Sequence, residues 1–91
     1  MLFEYDPVKS AKNRAKHGID FERAKRLWEN PTVRVPSRGE YGEVRYAVFG
    51  MIDDKHWTAI VTYRYESTRI ISVRRSRTKE AAYYDEQTNQ H

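Results

Sequence analysis

Hydrophobic positions change period along the chain. In the first third they recur every three or four residues, and in the remainder they alternate. Asp6-Pro7 reads as a helix start, because Asp can cap free backbone N–H groups and Pro is tolerated in the first turn. Val8, Ala11 and Ala15 predict a narrow apolar stripe among Lys9, Lys12, Arg14 and Lys16. Gly18 can end this helix in the left-handed conformation, and Asp20 caps a second one. Phe21, Ala24, Leu27 and Trp28 form a stronger apolar face, and Asn30-Pro31 stops it. Two short amphipathic helices of this kind need a sheet to pack on.

Leu2 to Tyr5 alternates weakly and reads as a short edge strand. Thr32 to Val35 is brief and β-rich, and Ser37 to Gly42 reads as a loop. Strands are predicted over Glu43 to Ile52, His56 to Glu66 and Ser67 to Ser76, joined by short turns as an antiparallel meander. Thr78 is the candidate cap of a final short helix, with the last residues frayed. Strict alternation puts Trp57, Ala59 and Val61 on one face, with Ile71 and Val73 beside them. Thr58, Ile60, Thr62 and Arg64 share the other face with Ser72 and Arg74. The expected architecture is α+β: two N-terminal helices on a twisted, mainly antiparallel sheet of three to four strands, with a short C-terminal helix. At 91 residues the expectation is a single domain, 1–91, with a small core.

Composition narrows the function classes. There is no Cys, so disulfides, thiolate nucleophiles and thiolate metal ligands are excluded. No apolar run approaches a membrane span, and the N-terminus lacks the basic start and apolar core of an export signal. A cytoplasmic location is therefore expected. The net charge of +4 and the basic segments Lys9–Arg26 and Arg64–Lys79 point to a polyanionic partner, nucleic acid before membrane.

RNA cleavage without metal needs a group to take the 2′-OH proton, a donor for the leaving 5′-oxygen, and cations for the charged transition state. Arg64, Arg69, Arg74 and Arg75 can supply the cations, since a guanidinium donates two hydrogen bonds to a phosphate. His17 and Glu43 are candidate acids or bases, with Tyr83 or Tyr84 as further donors. Each has a plainer alternative. His17 suits a helix C-terminus, Glu43 can pair with Arg45, arginine clusters often only bind phosphate, and the tyrosines can be packing groups. Asp53-Asp54 reads as turn chemistry, and His17, His56 and His91 lack metal-ligand spacing, so neither metal nor other cofactor is expected.

Two stretches, "DPVKSAKNRAKHGIDFERAKRLWENP" and "RIISVRRSRTKEAAYY", together resemble the BrnT-type toxins of bacterial type II toxin–antitoxin systems. The matching residues include Asn13, Gly50, Arg64 and Glu80 and run in the expected order along nearly the whole chain. The resemblance implies a RelE-like fold and a metal-independent endoribonuclease that cuts mRNA and inhibits translation. It implies neutralisation by a ribbon-helix-helix antitoxin, whose dimer would give a heterotetramer and carry the complex to operator DNA. On this reading Arg64, Arg69 and Arg74 hold the phosphate, and His17 or Glu43 moves the proton. Lys16, Arg75, Arg77, Lys79 and Tyr84 are further expected RNA contacts. The competing expectation is a non-catalytic nucleic-acid or protein-interaction module on the same scaffold.

Overall fold

The computed structural model describes residues 1–39 and 42–89. Part of the loop expected at Ser37 to Gly42, and His91 at the terminus, lie outside them. The chain is α+β and begins with a short strand, β1 (Leu2–Glu4), then α1 (Pro7–His17) and α2 (Phe21–Ala24). The second helix tightens at once into a 3₁₀ helix over Lys25–Glu29. Strands β2 (Val33–Arg38), β3 (Val44–Ile52), β4 (Lys55–Arg64) and β5 (Ser67–Arg75) follow, then α3 (Thr78–Thr88). The sheet has five strands in the order β1-β5-β4-β3-β2, where three or four were expected. It is mixed, because β1 runs parallel to β5 and every other pair is antiparallel.

Capping residues set the helix ends. Asp6 accepts a hydrogen bond from Val8 N, and Asp20 from Arg23 N, each at 2.8 Å. Gly18 closes α1 at φ 79°, where a side chain would be strained. The predicted stripe on α1, however, faces solvent: Val8, Ala11 and Ala15 are all exposed. The helix instead buries a polar face through Ser10 and Asn13. Asn13 Nδ2 donates to Ile19 O and Val73 O, its Oδ1 accepts from Val73 N, and Ser10 Oγ accepts from Phe21 N. Specific hydrogen bonds thus do the docking that apolar area was expected to do.

Phe21, Ala24 and Leu27 are fully buried, and their spacing of three suits the tightened helix that follows α2. They pack on Val48, Ala59, Val61, Ile70 and Val73. Leu27 lies so close to Gly50 that a Cβ there would come within 2.8 Å of it, so any side chain at this strand position would force Leu27 to shift. At the β3–β4 turn Asp53 and Asp54 both take positive φ, 50° and 63°, as a two-residue hairpin of this hand requires. Asp53 also receives Arg23 and Arg26, each at 2.8 Å, tying the turn to the second helix. Those two guanidinium groups hold its carboxyl below the usual range, Arg26 foremost.

Alternation fails once, in β5. Ile60 pairs with Ser72 but Val61 with Ile70, so Ile71 is an extra residue in a bulge. The phase of β5 therefore reverses there. Ile70 and Val73 face the N-terminal helices, rather than the expected pair Ile71 and Val73. Arg69, paired with Thr62, shares a face with Arg74, paired with Thr58. That second face is not wholly open. Tyr84 of α3 packs on Ala47 and Phe49, with Val33, Val35, Met51 and Ile60 alongside. Arg77, not Thr78, occupies the cap position of α3. Among the described residues no helix is long and apolar enough to cross a membrane.

Candidate active site

The structure divides the candidate residues among three places. The first is the half of the α3-side face that α3 leaves uncovered. β4 brings Arg64 there, and the bulge brings Arg69. β1 adds Glu4, which pairs with Arg69 in parallel register. Glu4 Oε1 lies 3.8 Å from Arg64 Nη1 and 3.9 Å from Arg69 Nη1. Both distances exceed a hydrogen bond, so the carboxylate balances the charges without occupying their donors. Oε1 is buried beneath the two guanidinium groups and has no hydrogen-bond partner among the described residues. A buried acceptor without a hydrogen bond is costly, and such a group in a folded chain calls for an explanation.

Arg45 faces the same side, two positions along β3 from Ala47, and spans β4 to within roughly 10 Å of Arg69 at the backbone. Glu43 is committed to it, its Oε2 accepting from Arg45 Nε at 3.1 Å and Nη2 at 2.9 Å. Thr62 and Ser67 line the remaining floor, and a cleft of about 750 Å³ opens among Leu2, Glu4, Arg64, Tyr65, Glu66 and Ser67. The arrangement offers two guanidinium forks to a phosphate, with a carboxylate oxygen beneath them.

The second place is the anchor of α3. Arg74, expected to hold phosphate, meets Glu80 through both arms, Nη1 at 2.7 Å and Nη2 at 2.9 Å. Glu80 Oε1 also accepts from Arg77 N at 2.8 Å and from Thr58 Oγ1 at 3.2 Å. These partners, Arg74 foremost, lower the Glu80 carboxyl to about 2. Arg74 thus has its fork filled and fixes the start of α3 against the sheet. Tyr84 is buried and donates to Pro31 O at 2.7 Å, while Tyr83 sets its ring edge-on to Phe49. Both tyrosines pack, and neither reaches Arg64.

The third place is the far end of β4 on the opposite face. There His17 lines a cleft with Arg23, Lys55, Trp57 and Arg75. Nine strand steps, roughly 30 Å, separate Lys55 from Arg64, so His17 and Arg64 cannot act on one phosphate. Arg75 lies over the Trp57 ring at 5.5 Å, and its Nε donates to His56 O. Lys16, Arg77 and Lys79 are exposed, the first on α1 and the others at the start of α3.

A family model described as "Ribonuclease toxin, BrnT, of type II toxin-antitoxin system" matches residues 5–80. The chain belongs to this BrnT family. No curated protein matches it. Membership makes it a ribonuclease toxin of a type II system, with RNA as target and an antitoxin as partner. The BrnT match takes in Arg64, Arg69 and the whole Arg74–Glu80 anchor, and begins one residue after Glu4. Sequence reasoning missed Glu4, which only its parallel pairing brings beside Arg69. Its one signal was the place of a lone acid in an apolar edge strand.

Proposed function

We propose that this BrnT-family chain is a metal-independent endoribonuclease and that its reaction centre is Arg64, Arg69 and Glu4. The observation that carries the proposal is the pair of guanidinium groups held around a buried carboxylate oxygen at distances too long to spend their hydrogen bonds. An incoming phosphodiester offers stronger, bidentate partners and draws both forks toward itself. Glu4 Oε1 is then uncovered beside the ribose. It takes the 2′-OH proton as the 2′-oxygen attacks phosphorus, and the guanidinium groups stabilise the added charge. The P–O5′ bond breaks, water on this open face protonates the 5′-oxygen, and a 2′,3′-cyclic phosphate remains. Glu43 is a weaker choice of base because Arg45 occupies it, and His17 is at the wrong end of the sheet.

In the cell this reading makes mRNA the substrate and slowed translation the outcome, in the cytoplasm, from a RelE-like scaffold. A dimeric ribbon-helix-helix antitoxin would bring two toxin copies into one assembly by symmetry. The test is incubation of purified protein with single-stranded RNA in EDTA. Cleavage should persist, leave 2′,3′-cyclic phosphate ends, and fall at least a hundredfold in Arg64→Ala, Arg69→Ala and Glu4→Gln. An absolute need for added Mg²⁺ refutes the metal-free mechanism. Salt-sensitive binding with no cleavage favours a non-catalytic binder instead.

A further inference from the structure

The β4–β5 turn carries a residue that neither its backbone nor its packing explains. Arg64 pairs with Ser67, so Tyr65 and Glu66 form a two-residue hairpin loop. Tyr65 sits at φ 56°, a conformation that hairpins of this length normally give to glycine or asparagine. A bulky aromatic there is strained. The ring recovers nothing by packing, since the residue is 106% exposed. Yet it borders the cleft that contains Arg64 and Glu4.

We propose that Tyr65 is a base-stacking subsite, which takes a nucleobase adjoining the phosphate held by Arg64 and Arg69. The inference rests on the reaction centre proposed above and adds its substrate class: RNA whose bases are unstacked and free to turn outward. Neighbouring bases in a duplex occupy one another's faces, whereas a single strand can lay a base on tyrosine. Stacking is indifferent to base identity, so this contact favours strandedness over sequence. The carboxylate of Glu66, which lines the same cleft, also disfavours a second phosphate there, leaving a neutral base as the fitting group.

The experiment uses a single-stranded RNA oligonucleotide with 2-aminopurine next to one cleavable linkage, and a copy with 2′-deoxyribose at that linkage to block cleavage. Tyr65→Gly and Tyr65→Phe are compared with the parent protein. Stacking predicts fluorescence quenching by the parent and Tyr65→Phe and none by Tyr65→Gly. KM for the cleavable strand should rise roughly tenfold in Tyr65→Gly, while its melting temperature rises because glycine relieves the turn. Unchanged quenching and KM in Tyr65→Gly overturn the subsite and leave the ribonuclease reading intact. Tyr65-dependent quenching on the blocked strand, with no cleavage of the other, supports the subsite and refutes the reaction centre. No quenching by the parent protein overturns the subsite.

Discussion

Replacing Arg74 by alanine separates an anchor from a catalyst. In the folded chain Glu80 is held at about 2, against 4.5 for an unperturbed carboxyl. The difference of about 2.5 units corresponds to about 3 kcal/mol of stability. Solvent screening of a side chain still 18% exposed brings this nearer 2 kcal/mol. Arg74→Ala removes the main source of that stabilisation and leaves a largely covered carboxylate with an unfilled side. We expect a loss of about 2–3 kcal/mol in denaturant unfolding, or roughly 10–20 °C in melting temperature for a chain of this size. Where the variant is folded, its RNA cleavage should stay within roughly threefold of the parent's. Arg64→Ala should do the reverse, abolishing cleavage and changing stability by about 0.5 kcal/mol or less. An Arg74→Ala protein that melts within about 2 °C of the parent and cuts no RNA would refute the anchor and restore Arg74 as a phosphate ligand.

The same pair sets a pH dependence. Because Glu80 titrates lower folded than unfolded, its contribution is complete above about pH 5 and disappears as pH falls from 4.5 toward 2; Glu80→Gln should remove that part of the acid unfolding curve. Asn13→Ala leaves Ile19 O, Val73 O and Val73 N without their buried partner and should cost about 3 kcal/mol by chemical denaturation. Gly50→Ala drives a methyl against buried Leu27 and should cost about 1–3 kcal/mol, and the same substitution should cost less when made in a Leu27→Ala background, a coupling that a double-mutant cycle reads. Asp54→Gly suits φ 63° and should raise the melting temperature by a few degrees, because the exposed Asp54 side chain makes no hydrogen bond or ion pair among the described residues, while Asp53 keeps its bonds to Arg23 and Arg26.

Much of the fold was legible because local chemistry dictated it. Asp6, Asp20 and Gly18 act at the helix ends as their side chains require, and the meander follows its alternating runs. What stayed hidden depends on contacts between distant residues. Nothing near Ser10 and Asn13 announces that a helix will bury amides and hydroxyls while exposing Val8. The bulge at Ile71 is invisible in "RIISVRR", where every residue suits a strand, and missing it moves Arg69 to the wrong face. At the candidate site Arg64 and Arg69 were identifiable by charge and by resemblance. Their separation from His17 was not, because it depends on which end of β4 meets α1. Arg74 looked like a free cation because its partner, six residues on, lies in the next helix.

The bulge also gives α3 a meaning beyond that of a lid on apolar side chains. Arg69 and Arg74 are five residues apart, an odd number that would point them to opposite sides of a regular strand. The extra residue sets both on one surface, one bare and the other beneath α3. Detaching α3 would uncover Phe49 and Ala47 and, in the same movement, release a guanidinium that extends the positive track from Arg64 and Arg69 along β5. On the reaction centre proposed above, the helix therefore sets the length of the polyanion footprint as well as the wetting of the sheet.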